Sequence, residues 1–197
     1  MSTYPDYITA LDLPLKEKAE LDEDIQEAYE FLEENHGLIP NILKAYSFDQ
    51  EKMRPFMGLY NSIMVAESEL SMLEREMIGV VVSSINNCLY CQVAHGAGIR
   101  GMSGDPKLGE MIVMNYRVAK LEPRQRAMLD FAVKVTEKSY EISEEDREAL
   151  REHGFSDRAI WDIASVAALF NFTNRVSSAL DIIPNAEYNY MFRTDPE

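Results

Sequence analysis

The sequence has no long apolar run, few basic residues and little cysteine. None of its apolar runs approaches the ~18 residues that a membrane-spanning helix needs, so we expect no membrane span. The opening MSTYPDYITALDLP lacks the basic start and apolar middle of a secretory signal, which makes the cytoplasm the expected compartment. With 19 basic against 34 acidic residues, the net charge of −15 should repel nucleic acid and anionic membrane surfaces.

The two cysteines of the 197-residue chain are Cys88 and Cys91. In a reducing compartment they are poor candidates for a structural disulfide. Their spacing would also close too small a loop to stabilise the fold much. The pair therefore points to catalysis or metal binding rather than to a crosslink of the fold.

Helical periodicity runs along most of the sequence, and convincing alternating strands are lacking. In residues 16–35, apolar side chains recur at spacings of three and four between charges, which predicts a helix. His36 and Gly37 should end it, since glycine suits the left-handed residue after a helix. The apolar run IGVVVSSI has high strand propensity, but no turn signal separates it from the helical residues before it. We therefore predict a helix that is buried on most sides.

Four further helix starts are marked by capping residues. Ser71 with Glu74 three residues later predicts a capping box. Pro123 suits the first turn of a helix, while Ser143 and Ser156 are favourable N-caps. These signals together predict an all-α protein.

The expected organisation is one domain over residues 1–197, with a helical core at about 16–181, an N-terminal arm and a C-terminal extension. GIRGMSGDP, residues 98–106, is the clearest expected loop because it holds three glycines and a proline. The apolar stretch EYNYMF, residues 187–192, is expected to pack on a neighbouring subunit.

The segment NNCLYCQVAH holds both cysteines and a histidine. If Asn87 is the N-cap of a helix, Cys88, Cys91 and His95 lie on one stripe of it, at spacings of three, four and seven. The positive end of the helix dipole favours a thiolate, and an imidazole exchanges protons near neutral pH. This arrangement favours a redox-active dithiol.

Two other interpretations of the cysteines stay open. A zinc site would have three ligands in this segment, and His36 or His153 would have to complete it. Alternatively, the cysteines are small buried hydrophobes without chemistry. Outside this segment we expect structural roles. The polar residues Asn171, Asn174 and Arg175 should satisfy buried polar groups or form a subunit contact. The aromatic residues Trp161, Phe170 and Phe172 should belong to the core or to an interface.

The spacing of Glu76, Cys88, Cys91 and His95 resembles the E-x11-C-x-x-C-x3-H signature of the alkylhydroperoxidase D family, in the carboxymuconolactone decarboxylase-like superfamily. Segments such as HGLIPNILKAYS and LDFAVKVTEKSYEISEEDREALREHGFSDRAIWDIASVAALFNFTNRVSSAL resemble its peroxidase-related branch, and together with the motif region they cover most of residues 30–181. The resemblance implies a helical fold with the C-x-x-C at a helix N-terminus.

The resemblance also implies roles. Cys91 would attack the peroxide, Cys88 would resolve the product, and Glu76 and His95 would relay protons. The helix dipole alone favours Cys88 as the attacking sulfur, but His95 is one turn from Cys91 and two from Cys88, so we assign the attack to Cys91. The best-described members have a histidine where this chain has Tyr90, so the proton relay of this chain has one imidazole fewer than theirs.

The expected function is therefore that of a cysteine-based peroxidase, with a hydroperoxide substrate and a thiol or dithiol reductant, either a small molecule or a protein. The resemblance implies a homo-oligomer, a trimer or hexamer. We expect no cofactor and no metal ion. The alternatives are a carboxymuconolactone decarboxylase-like enzyme in which the cysteines are incidental, and a non-enzymatic redox sensor or zinc-binding protein.

Overall fold

The computed structural model describes residues 3–194, and within that range the chain forms helices and no strands. The α-helices of these residues are α1 (Glu23–His36), α2 (Asn41–Tyr46), α3 (Gln50–Tyr60), α4 (Met72–Ile85), α5 (Leu89–Ser103), α6 (Pro106–Asn115), α7 (Pro123–Lys138), α8 (Glu144–Glu152) and α9 (Asp157–Ala179). A π-helix, Asn61–Val65, continues α3. The predicted all-α class is confirmed.

The predicted helix starts are confirmed where a capping residue marked them. Ser71 and Glu74 form a reciprocal capping box at the start of α4. Pro123 is the first residue of α7, and Ser143 and Ser156 are the N-caps of α8 and α9. Each of these residues satisfies or removes a backbone N–H that the first helical turn would leave unpaired.

The first helix begins later than residues 16–35 predict. A 3₁₀ turn, Lys18–Glu20, and an extended Leu21 precede α1, whose N-cap is Asp22. Its end is as predicted, because Gly37 takes the left-handed conformation with φ 73°.

Helix α4 lies at the centre of the molecule and packs against α5, α6, α7 and α9. Every residue from Glu74 to Ser83 is buried, so the run of valines in this segment is helical in spite of its strand propensity. Burial on all sides explains why this helix is apolar over most of its surface.

A second apolar cluster lies between α1, α2 and α3. Its buried members are Leu21, Ile25, Tyr29, Ile39, Leu43 and Met53. The N-terminal arm runs beside the segment after α9, where the Ala10 N–H donates to the Leu180 carbonyl and the Ile183 N–H donates to the Ile8 carbonyl. None of the described helices is both long enough and apolar enough to cross a membrane.

The prediction of a loop at residues 98–106 is wrong for most of this range. Helix α5 continues to Ser103, and only Gly104, at φ 65°, adopts the left-handed conformation that ends it. Gly98 and Gly101 lie inside α5, where the carboxylate of Glu76 and the ring of Phe192 occupy the space of a side chain. These two glycines allow close packing rather than a turn.

Candidate active site

The two cysteines lie where α4 turns back into α5. Asn87 adopts a left-handed conformation with φ 53° in this turn, a conformation that asparagine tolerates better than most residues. The N-cap of α5 is Cys88 rather than Asn87, one residue later than predicted. The Cys88 sulfur accepts the Cys91 N–H at 3.5 Å, so the sulfur performs the capping role that a serine or asparagine oxygen usually has.

The turn brings Glu76 of α4 next to His95 of α5. The distance from His95 Nδ1 to Glu76 Oε2 is 2.8 Å, and both side chains are largely buried. An ionised carboxylate only accepts hydrogen bonds, so Nδ1 carries the proton and Nε2 is the nitrogen that can exchange one with a reactant. The sequence alone would place Glu76 on a solvated face, whereas the structure buries it.

Burial and charge act in opposite directions on His95. Burial lowers the pKa of this imidazole, but the charge and hydrogen bond of Glu76, together with the charge of Cys88, raise the pKa above the ordinary 6.5. The ring of Phe170 packs edge-on against the imidazole with a centroid distance of 4.7 Å, and the ring of Tyr60 lies at 6.4 Å. His95 is therefore held between a carboxylate and an aromatic wall.

Both cysteine thiols are free and buried. A hydrogen bond with Cys91 and the Cys91 backbone N–H outweigh burial and lower the pKa of Cys88 to about 6. The same sulfur contact, burial and the charge of Cys88 raise the pKa of Cys91 well above its usual range. The pair therefore loses its first proton easily and its second with difficulty, as expected for two acids that share a site.

Helix α9 forms the polar wall of this site. The sulfur pair and burial have the largest effects on the thiol pKa values, and in addition hydrogen bonding by the Asn174 side chain lowers the pKa of both cysteines, by Ser178 that of Cys88, and by Thr173 that of Cys91. Sequence reasoning assigned Asn174 only to buried polar groups or a subunit contact, and it missed the other two. The feature of the sequence that could have indicated them is the group of polar residues within the otherwise apolar helix α9.

Tyr90, between the cysteines, is also buried. Its hydroxyl accepts the Ile42 N–H at 3.2 Å and so connects the start of α5 to α2. Where the family resemblance places an imidazole, this chain thus has a hydroxyl that anchors the cysteine turn to a neighbouring helix.

The C-terminal stretch makes contacts within its own chain, and its packing on a neighbouring subunit stays a prediction. The buried Arg100 of α5 donates to the carbonyls of Tyr188, at 2.7 Å, and Met191, at 3.0 Å. Burial and the charge of Glu76 raise the pKa of Tyr188. Residues 188–192 therefore pack against α5, the helix that holds Cys91 and His95.

No group of three or more histidine, cysteine, aspartate or glutamate side chains is arranged to hold a metal ion within residues 3–194. His36 ends α1 and the exposed His153 follows α8, so neither completes a ligand set with the cysteines in the described residues.

Comparison with known proteins identifies the fold and the family. The model of the carboxymuconolactone decarboxylase family matches residues 50–107. Among curated proteins, no match to this sequence was found. A solved structure described as an uncharacterized peroxidase-related protein from Silicibacter sp. TM1040 is 58% identical, with a TM-score of 0.92 over 98% of this chain and 100% of that one.

Two further solved structures share the fold. One, described as an alkylhydroperoxidase AhpD core and uncharacterized peroxidase-related protein from Ralstonia eutropha JMP134, is 38% identical, with a TM-score of 0.93 over 98% of this chain and 100% of that one. The other, the debrominase Bmp8, is 19% identical with a TM-score of 0.78 over 94% of this chain and 97% of that one, and this likeness shows the fold alone. Taken with the helical architecture and the Cys88–Cys91 turn, the two closer matches show that this chain belongs to the alkylhydroperoxidase D-like family of the carboxymuconolactone decarboxylase-like superfamily.

Proposed function

We propose that this protein is a cysteine peroxidase that reduces hydroperoxides through the Cys88–Cys91 dithiol, with Glu76 and His95 as the proton relay. The observation that carries the proposal is the buried Glu76–His95 hydrogen bond on the same helix pair as a dithiol that ionises easily. Peroxide reduction needs a thiolate to attack and an acid to protonate the leaving alkoxide, and this arrangement offers both.

In the first step the Cys91 thiolate attacks the terminal oxygen of ROOH. The S–O bond forms with two electrons from sulfur, the O–O bond breaks, and RO⁻ leaves and takes a proton from His95. The products are the Cys91 sulfenic acid and ROH. Glu76 stabilises the protonated imidazole and keeps Nδ1 as its donor, so proton exchange is directed to Nε2.

In the second step the Cys88 sulfur attacks the sulfenic sulfur. The Cys88 thiol gives its proton to His95, which is neutral after the first step; the S–S bond then forms, the S–O bond breaks, and the leaving hydroxide takes that proton from His95 and departs as water. An external thiol or dithiol then reduces the disulfide by exchange and returns both thiols. The one-turn spacing of the cysteines suits an intramolecular disulfide.

Before a peroxide binds, the lowered pKa of Cys88 favours a thiolate on that cysteine, whereas the family resemblance assigns the attack to Cys91. We reconcile the two by proton transfer within the pair: Cys91 becomes the thiolate when its proton passes to Cys88 across their hydrogen bond. Single-cysteine variants separate the roles. Cys91→Ser should abolish sulfenic acid formation, while Cys88→Ser should form and accumulate it, and the reverse pattern would make Cys88 the nucleophile.

The test combines thiol counting with stopped-flow detection of sulfenic acid over a panel of hydroperoxides. Mild oxidant should remove two thiols per chain without crosslinking chains, and retention of both thiols would reject the redox function. His95→Ala should slow the first step by about 10²–10⁴-fold, and Glu76→Gln less. His153→Ala is the matched control, because the side chain of this exposed histidine hydrogen-bonds to the Ala149 carbonyl of α8.

The alternatives give different results in the same samples. A decarboxylase-like enzyme should keep its activity in the Cys88→Ser/Cys91→Ser double variant, and a zinc-binding protein should carry stoichiometric metal by elemental analysis.

We also propose a cytoplasmic homo-oligomer, a trimer or hexamer, built from one domain over residues 1–197. In support, Trp161 and Phe172 are exposed on one face of α9, where a second copy of the chain would cover them. A monomer in light scattering at micromolar concentration would contradict the oligomer.

A further inference from the structure

A chain of hydrogen-bonded amides, of which Asn174 is buried and Asn86 and Asn171 are half-buried, joins the end of α4 to α9, and the mechanism above does not use it. Its central residue, Asn174, is 1% exposed. Asn86 donates to its Oδ1 at 2.9 Å, and its Nδ2 donates to Ser83 Oγ at 2.9 Å. Asn174 is thus held from both sides by residues of α4 and the turn after it.

At the Asn171 end of this network, two neighbouring groups fix which atoms donate and which accept. One of them can only donate a hydrogen bond, and the other can only accept one. The Arg175 guanidinium can only donate, and it lies 2.7 Å from Asn171 Oδ1. The Ala167 carbonyl can only accept, and it lies 3.0 Å from Asn171 Nδ2. Asn171 Oδ1 therefore accepts from Asn86 Nδ2, which in turn also donates to Asn174 Oδ1.

The Ser83 end of the network leads to the same assignment of donors and acceptors. The Ser83 hydroxyl donates to the Gly79 carbonyl at 2.6 Å, so the Ser83 oxygen has to accept from Asn174. The Asn174 amide group must therefore present its NH₂ side here. One of its two N–H bonds is used by Ser83, and the second is available to the cysteines.

The cysteine turn lies beside that amide, because the carbonyl of the same Ser83 accepts the Cys88 N–H at 3.0 Å. The sulfur pair and burial have the largest effects on the two thiol pKa values, and in addition hydrogen bonding by the Asn174 side chain lowers the pKa of Cys88 and of Cys91, so the amide favours the ionised sulfur. A neutral donor that is oriented before the sulfur ionises stabilises the thiolate without adding a charge to the site.

We propose that Asn174 is a further catalytic residue, whose amide N–H holds the ionised sulfur of the dithiol. This proposal rests on the proposed function in one respect, namely that the sulfur is the reacting atom. Because the same N–H reaches both cysteines, it can follow the negative charge when a proton passes between them. Asn174 would then complement the N-terminus of α5, where the Cys91 N–H donates to the Cys88 sulfur and also stabilises the charge.

The experiment measures the rate of thiol alkylation by iodoacetamide from pH 5 to 9. In Asn174→Ala the midpoint of the rate profile should rise by about one to two pH units, the usual worth of a hydrogen bond to a charged group. Asn174→Asp keeps the shape of the side chain but replaces the donor with an acceptor, so its midpoint should rise further. Asn185→Ala is the matched control, because Asn185 is also a buried asparagine but binds backbone groups of Ile39 and Asn41.

A higher midpoint in both Asn174 variants and an unchanged one in Asn185→Ala would support the proposal. An unchanged midpoint in a folded Asn174 variant would overturn it. If neither variant folds, the NMR signal of the Asn174 side-chain amide in the wild-type protein decides: it should titrate with the thiols, and a signal that does not follow them would overturn the proposal. A shifted midpoint in a protein that reduces no hydroperoxide would refute only the proposed function.

Discussion

Replacing Gly98 with alanine should loosen the Glu76–His95 pair without removing any functional group. Gly98 faces the carboxylate of Glu76 from within α5. A Cβ at this position would lie 3.1 Å from Glu76 Oε2 and 3.3 Å from Glu76 Cδ, whereas ordinary contacts begin near 3.4 Å. The carboxylate therefore has to retreat by about 0.3 Å, the difference between 3.4 and 3.1 Å.

The size of the effect follows from this displacement. If the carboxylate moves away from His95, their 2.8 Å hydrogen bond lengthens to about 3.1 Å and survives in weakened form. A misplacement of 1 Å at a reacting centre costs about 10²-fold in rate, so about 0.3 Å should cost about fourfold. The fold should not suffer, because alanine in the interior of a helix gains about 0.5–1 kcal/mol over glycine.

The assay compares Gly98→Ala with Gly96→Ala in sulfenic acid formation and in urea denaturation. Gly96 is in the same helix and its added Cβ would also have a nearest neighbour at 3.1 Å, but that neighbour is a methyl group of Val113. We expect the slower first step only in Gly98→Ala, with the His95 Nδ1–H resonance moved upfield. Equal rates in the two variants would refute the positional role of this glycine.

Two further predictions concern stability. Because the pKa of His95 is raised in the folded protein, protonated His95 stabilises the fold fully below about pH 6.5 and this contribution disappears as pH rises through the folded-state pKa. The excess unfolding free energy of the wild-type protein over His95→Gln should therefore decrease above pH 6.5, and a constant difference would contradict the raised pKa. Phe170→Ala should cost about 3–5 kcal/mol in urea denaturation, since Phe170 is fully buried against Gly79 and His95; a loss below about 1 kcal/mol would show that the cavity collapses.

The sequence was a good guide to the fold wherever a local signal decides the structure. The capping box of Ser71 and Glu74, the left-handed Gly37 and the first-turn Pro123 all act within a few residues of themselves, and the structure has each of them as predicted. Helix starts of this kind depend on side chain to backbone hydrogen bonds that the sequence displays directly.

The glycines of α5 show why other predictions were wrong. In the sequence, Gly98, Gly101 and Gly104 look alike and together indicate a loop. In the structure only Gly104 uses the conformational freedom of glycine, while the other two provide space for Glu76 and Phe192. The partners that distinguish these uses are 22 and 91 residues away along the chain, so no local pattern contains them.

The candidate site likewise has residues that the sequence predicts and one that it does not. The motif of Glu76, Cys88, Cys91 and His95 is visible because family resemblance supplies its spacing, and the structure places Glu76 against His95. The position of Asn174 behind the sulfurs depends on α9 packing against α5, which a sequence of scattered polar residues does not specify.

The chemistry of the dithiol depends on both parts. Any C-x-x-C at a helix start receives the field of the helix N-terminus, and that field acts most strongly on the first cysteine, Cys88. A donor that reaches both sulfurs acts differently, because it stabilises the charge on Cys91 as well. An enzyme in which the second cysteine attacks needs such a donor more than one in which the first attacks. If Asn174→Ala slows sulfenic acid formation at Cys91 more than it slows alkylation of Cys88, the attack by Cys91 and the role of Asn174 would support each other; equal slowing of both would mean that the amide only sets the average charge of the pair.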